Sequence, residues 1–182
     1  NGKPWALTEN SDIKILQETR LMQGRIPEAR GDAKRAGWES IWTPAVREGA
    51  TRKGPASGGR AILARTPRRI THVRHSGKHT HRWLHGIVDL GGGRPLHVLS
   101  VYGYDAGRPH AYRLNGELTR EVFAAVAELG SVPALIGGDW NREPHDLWEL
   151  VADGGVHTFL IGETFMRAED PGAALAAMFA GD

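Results

Sequence analysis

The chain contains no cysteine. That absence removes disulfide frameworks, thiol nucleophiles, iron–sulfur clusters and every cysteine-based zinc site, and it gives no reading of the redox compartment. No apolar run approaches the roughly 18 residues of a membrane-spanning helix. The start, Asn1-Gly2-Lys3-Pro4, does not have the form of a signal peptide, so an intracellular location is expected. Acidic residues are absent from a long internal stretch: Gly49 to Val88 holds nine Lys or Arg and no Asp or Glu. The end of the chain reverses the balance, with nine acids against Arg142 and Arg167 from Asp139 to Asp182. A basic middle beside an acidic end suits a polyanion-binding surface next to a metal-binding carboxylate site. It equally suits solvated basic strand faces that pair with the acidic end.

What is present fits one domain over residues 1–182, with 40% hydrophobic and 24% charged residues. The chain begins without Met and without a strand before Pro4, so a piece of a longer protein is expected. Short β-rich runs dominate: 11–17, 38–43, 59–64, 70–75, 83–90 and 96–104, with a further strand at 134–137. Ser76-Gly77-Lys78 and Gly91-Gly92-Gly93-Arg94-Pro95 separate consecutive runs and predict antiparallel hairpins. Leu114, Leu118, Val122, Ala125, Val126 and Leu129 recur at spacings of three and four, which predicts an amphipathic helix over 111–129, closed by Gly130. A short helix near 145–151 and an alanine-rich helix at 173–180 are also expected. Many strands with few, separated helices give an α+β class.

Three strand ends carry polar chemistry. Asp12-Ile13-Lys14-Ile15-Leu16-Gln17-Glu18-Thr19 places Glu18 at a rim, where a hard cation can be held by one or two carboxylates, or where a glutamate is simply solvated. Leu135-Ile136-Gly137-Gly138-Asp139-Trp140-Asn141 brings Asp139 and Asn141 to one face if the strand persists. The aspartate then orients or deprotonates a water while the amide donates to a phosphoryl oxygen. An Asx turn after the strand is the alternative, and the paired glycines suit it as well. Val98-Leu99-Ser100-Val101-Tyr102-Gly103-Tyr104 gives Tyr102 and Tyr104 a shared face, for a phosphate or for packing.

In order, Gln17-Glu18-Thr19, Gly58-Gly59-Arg60-Ala61-Ile62-Leu63, Tyr102-Gly103 and Gly138-Asp139-Trp140-Asn141 resemble the endonuclease/exonuclease/phosphatase family over residues 11–144. The resemblance implies a four-layer αββα sandwich, here incomplete at both ends. It also implies phosphodiester hydrolysis dependent on Mg²⁺, with Mn²⁺ as a substitute. Glu18 would be the metal ligand, Tyr102 the phosphate-contacting hydroxyl, Asp139 the residue that orients or activates water, and Asn141 the stabiliser of the pentavalent phosphorus. Gln-Glu-Thr followed by Arg20 is similar to the branch of abasic-site and non-LTR retroelement endonucleases, so DNA is the expected partner. Asp105-Ala106-Gly107-Arg108 resembles a stretch that meets nucleic acid in that branch, and Arg68, Arg69 and Arg74 are the expected basic patch.

The chain departs from the family at both ends. Only 17 positions precede Glu18, too few for the family's first strand and helix, so Asn1 is not taken as the family's metal-binding asparagine. No Asp-His dipeptide occurs, His145-Asp146 reverses that order, His157 stands alone, and 154–182 does not resemble the closing strands. A catalytically degenerate, nucleic-acid- or protein-binding form of the same fold is therefore the competing expectation. His72, His75, His79, His81 and His85 fall within 14 residues and raise a transition-metal reading. Their spacings fit neither one helix face nor one strand face, and a basic hairpin surface is the expectation.

Overall fold

Strand β1 (Ile13–Leu16) follows two residues after the first position that the computed structural model describes; the described residues are 11–47, 56–142 and Leu147. Helix α1 (Ile26–Arg35) comes next, then β2 (Trp38–Arg47) and β3 (Ala56–Arg65). These three strands form one antiparallel sheet in the order β1-β3-β2. A second sheet has the order β4-β5-β6-β7, built from β4 (Ile70–Val73), β5 (Trp83–Asp89), β6 (Pro95–Tyr102) and β7 (Ala134–Asp139). Its first three strands are antiparallel neighbours, as the two turn signals predict. β6 and β7 run parallel, which requires a crossover, and helix α2 (Ala111–Ala127) supplies it.

Period-two alternation sorts the strand side chains into three apolar layers. Ile41, Ile62, Ala64, Leu84, Val88 and Val98 meet between the sheets. On the outer face of the first sheet, Trp38, Ala61 and Leu63 take Ala33 of α1. On the outer face of the second, Trp83, Leu99, Val101 and Ile136 take Leu118, Val122 and Phe123 of α2, together with Trp140 and Leu147. Full burial of each large apolar side chain in such a layer contributes about 1.5–3 kcal/mol. The order α1, sheet, sheet, α2 is the four-layer αββα sandwich that the sequence implied.

The expected elements are found within a few residues of their predicted limits, with one omission. Helix α1 was not read, because its buried face is Ile26, Ala29 and Ala33, a stripe too small to register as an apolar period. Its remaining signals were Pro27 in the first turn and Lys34 with Arg35 in the last. The expected helices near 145–151 and 173–180 lie outside the described residues, apart from Leu147.

Candidate active site

The C-terminal ends of β1, β6 and β7 converge at one end of the sandwich. Just below that rim the Gln17 amide donates to Ser100 Oγ at 3.4 Å and Ser100 Oγ donates to the Leu16 carbonyl at 3.5 Å, which ties the two sheets together. Beyond β1 the chain stays paired to β3: Thr19 N–H donates to Gly59 O at 3.1 Å and Arg20 N–H to Gly58 O at 2.9 Å. Glu18 and Arg20 both sit at positive φ, 48° and 53°, a conformation ordinary residues rarely take and one these two bonds hold in place. Gly59 is required there: at φ 82° a Cβ would run into Thr19 Oγ1 and the Ala45 backbone nitrogen.

This geometry delivers Glu18 to Tyr102. The phenol donates to Glu18 Oε1 at 2.5 Å, and Arg20 Nη2 donates to Oε2 at 3.1 Å. Tyr102 holds the Glu18 carboxyl below its ordinary value, Arg20 adds to the effect, and burial and the charge of Asp105 oppose it. Burial, and then the bond to Glu18, pushes the Tyr102 hydroxyl far up, with Asp139 adding to the same shift. Asp139 lies directly opposite Tyr102 in the parallel β6/β7 register. Glu18, Tyr102 and Asp139, from three strands of two sheets, therefore share one site.

Asn141 joins them by the second of the two routes that the sequence left open. β7 ends at Asp139, and the Asn141 N–H donates back to Asp139 Oδ1 at 3.0 Å with Asn141 at φ 48°. That is an Asx turn, so strand parity does not persist to Asn141. The Asn141 amide donates to Gly103 O at 3.3 Å, and its carbonyl accepts from Asn115 Nδ2 at 3.2 Å. Gly103 has no room for a side chain, because a Cβ would collide with the Trp140 carbonyl. Asn115, 2% exposed on α2, also accepts from Tyr104 N–H at 2.6 Å and donates to Tyr104 O at 2.9 Å. Sequence reasoning missed Asn115; its only signal is an amide beside Leu114 and Leu118 on the core-facing side of the helix.

The shared face assigned to Tyr102 and Tyr104 gives way to two separate hydroxyl partners. Tyr102 turns to Glu18, whereas Tyr104 Oη lies 2.8 Å from His79 Nδ1 and 3.4 Å from His81 Nε2. Arg82 bridges the two rings, its guanidinium carbon 4.2 Å from the Tyr104 centroid and 5.6 Å from that of Tyr102. Arg82 is 4% exposed, and beside it Arg60 is wholly buried, its pKa lowered to about 10 by burial and by Arg82. Arg60 donates to the His81 carbonyl. Neither guanidinium was read as part of the site.

The four cations expected to contact nucleic acid are not one patch. Arg108 is exposed at the site, 5.0 Å from the Tyr104 ring centroid. Arg74 follows the end of β4, on the same edge of the second sheet as the start of β5. Arg68 and Arg69 precede β4 at the opposite end, where Arg68 pairs with Asp12 at 2.9 Å and the Arg69 carbonyl accepts from Asp89 N–H. The length of β5 separates them from Tyr102, about 20 Å at a strand's rise.

The histidine-rich stretch is a β4/β5 hairpin only partly at the surface: His72 and His81 are exposed, whereas two others are buried. His79 and His85 are each 2% exposed. His75 Nε2 lies 2.8 Å from His85 Nδ1, and His85 Nε2 lies 2.9 Å from His97 Nδ1, so three rings form one hydrogen-bonded row across β5 and β6. Burial, then the neighbouring imidazoles, lowers the His85 pKa to about 4. A cavity of about 280 Å³ lies against His72, Arg74, His75, Trp83 and His85. Among the described residues no three His, Asp or Glu gather as a metal-ligand group. His145 and His157 lie outside the described residues.

Residues 4–152 match the model of the Endonuclease/Exonuclease/phosphatase family. The catalytic domain of human nocturnin aligns with 80% of this chain and 57% of its own at a TM-score of 0.58 and 15% identity. Beta toxin from Staphylococcus aureus aligns with 84% of this chain and 61% of its own at a TM-score of 0.54 and 18% identity. At such identities the likeness is one of fold, and the chain spans less than two thirds of either. An indole-3-glycerol phosphate synthase from Paracidovorax citrulli (strain AAC00-1) is 57% identical over 37 residues, 20% of this chain and 14% of that protein. That match is a shared short segment and does not extend to the whole relative.

Proposed function

Because the chain belongs to the endonuclease/exonuclease/phosphatase family, we propose that the Glu18, Tyr102 and Asp139 cluster is the centre of a metal-assisted phosphodiester hydrolysis whose substrate is DNA. The observation that carries the reading is the 2.5 Å bond from Tyr102 to Glu18 beside Asp139, which assembles two carboxylates and a phenol at one rim.

The donor set fits a hard divalent cation. Glu18 and Asp139 offer carboxylate oxygens and Asp105 adds its charge nearby, while thiolates are absent from the chain; among the described residues these acids do not gather as a group of three, so a cation held there would complete its shell with water and substrate oxygens. Glu18 would hold Mg²⁺ or Mn²⁺, which when bound would neutralise charge on the phosphoryl group. Asp139 then orients a water and takes its proton as the water oxygen bonds to phosphorus and the ester oxygen leaves. The Asx turn fixes which way that carboxylate faces, since Oδ1 already accepts the Asn141 N–H. Asn141, anchored through its carbonyl and its amide, supplies a neutral donor beside the phosphoryl oxygens without adding negative charge. Tyr102 keeps Glu18 ionised and in place. Arg108, exposed at the site, meets the backbone of the nucleic acid.

A binding-only form of the same site has one observation in its favour: both Glu18 oxygens already accept hydrogen bonds, from Tyr102 and from Arg20. Nicking of supercoiled plasmid separates the two readings. The hydrolytic reading expects nicking that requires Mg²⁺, stops with a chelator and falls by about 10²–10⁴-fold in Asp139→Ala. Tight plasmid binding without nicking at any Mg²⁺ concentration refutes it and leaves the binding-only form.

A further inference from the structure

The Tyr104 phenol ends a polar chain that the chemistry above does not use. It begins on α2 at Glu117, whose carboxyl is pulled down to about 2 by the Lys78 ammonium first and by Arg113 and His79 after it. An ionised carboxylate only accepts, so His79 Nε2, 3.3 Å from Glu117 Oε2, carries the ring hydrogen. The other ring nitrogen, Nδ1, hydrogen-bonds the Tyr104 hydroxyl at 2.8 Å. The His79 backbone N–H donates to both oxygens of Glu121, at 3.2 and 2.9 Å, so the buried ring has a single seat. From the other side Asn115 clamps both backbone polar groups of Tyr104.

A phenol held at its hydroxyl and at its backbone can neither turn nor slide. Its ring carries Arg82 on the buried side and Arg108 at the exposed turn after β6. That turn is closed by Arg108 N–H to the Asp105 carbonyl at 2.9 Å and Gly107 N–H to Asp105 Oδ1 at 2.8 Å, which fixes its backbone. Stacking engages the plane of a guanidinium, whereas a phosphate is read by its N–H edge. One fixed ring can therefore orient Arg108 without competing with an anionic ligand.

We propose that Glu117, His79 and Tyr104 form a positioning relay that sets Arg108 for the phosphate backbone of DNA; the proposal rests on the nucleic-acid reading above. The three residues act through Arg108 and do not touch the reacting atoms. The test is DNA binding by the full chain, read as fluorescence anisotropy of a labelled duplex over a salt series, for wild type, Tyr104→Phe, Arg108→Ala and the double variant. Phenylalanine keeps the stacking face and removes the anchor. Tyr104→Phe weakens binding roughly fivefold, the worth of about one hydrogen bond. The double variant binds no worse than Arg108→Ala alone, because both changes remove one coupled contact. Where nicking is measurable, Tyr104→Phe raises KM and changes kcat less than twofold. His79→Gln, which keeps an acceptor and a donor, retains more affinity than His79→Ala at an equal melting temperature. Losses that multiply in the double variant, or a Tyr104→Phe chain that binds as wild type, overturn the relay while leaving the DNA reading intact. A wild-type chain that does not bind the duplex overturns both.

Discussion

Removing the Tyr102 hydroxyl tests how the site is held together. Tyr102→Phe deletes a 2.5 Å bond to a carboxylate, and hydrogen bonds to charged groups contribute about 1.5–3 kcal/mol. Glu18 is 40% exposed, so water takes over part of that role and the expected loss at pH 7 is about 1 kcal/mol. The pH dependence follows from the direction of the shift. Tyr102 is the largest cause holding the folded Glu18 carboxyl below its ordinary value of 4.5. Stability from this group is therefore fully present above pH 4.5 and is lost as the pH falls through the lower folded value. In Tyr102→Phe most of that contribution is already gone, so acidification should remove little more. Guanidinium denaturation at pH 7 and pH 3 reads the difference, with a loss near 1 kcal/mol at the first and a few tenths, roughly, at the second. Glu18→Gln should show the same convergence. It should also move the Tyr102 titration down toward the ordinary range, since the bond to Glu18 contributes, after burial, to its upward shift. An equal loss at both pH values would mean that the hydroxyl stabilises packing and that its bond to the carboxylate contributes little.

Gly103→Ala places a methyl group against the Trp140 carbonyl and should cost roughly 2 kcal/mol or more, lowering the melting temperature; an unchanged melt would contradict the close approach. His85, with a folded value of about 4 against an ordinary 6.5, adds nothing to pH dependence above pH 6.5. Between pH 6.5 and 4 the unfolded chain takes a proton that the folded ring refuses, so the urea midpoint should drop over that window, and His85→Gln should flatten the drop. On duplex DNA, Arg108→Ala and Arg74→Ala should each reduce the log–log salt slope by about 0.9, and Arg68→Ala or Arg69→Ala should leave it unchanged; equal effects at all four positions would place the duplex along the whole sheet edge.

How far the site could be read in the sequence depends on whether one strand determined the outcome. Glu18, Tyr102 and Asp139 each close an apolar run, and a residue that ends a buried strand lies at a rim whatever the neighbouring strand does. Their convergence needed only the sheet order. For Asn141 the sequence left two routes open, extended backbone past Asp139 or an Asx turn, and the carboxylate's capture of the N–H two residues on selects the turn. Asn115 was illegible for a different reason. A polar residue on a helix declares itself only when the main chain it clamps, Tyr104 and the Asn141 carbonyl, has been brought to it by two other elements. Helix α1 escaped because three small or single apolar positions bury little area and leave little period.

The basic segment is the instructive case, since its charge could be counted in the sequence while the place of each cation could not. Of the cations between Gly49 and Val88, Arg60 and Arg82 are buried beneath the site, Arg65 stacks on Trp38 with its guanidinium carbon 4.6 Å from the ring centroid, Arg68 pairs with Asp12, and Lys78 pairs with Glu117. Only cations that meet phosphates displace counterions, so nine basic residues do not predict nine units of salt dependence. The buried pair acts differently. Arg60 and Arg82 repel each other, which contributes to lowering the Arg60 pKa to about 10, and Arg82 lies against the rings of Tyr102 and Tyr104. The charge of Arg82 opposes the upward shift that burial and Glu18 impose on the Tyr102 hydroxyl. Part of the positive charge that the composition assigns to a polyanion-binding face therefore works from inside the protein, on the phenol that holds Glu18.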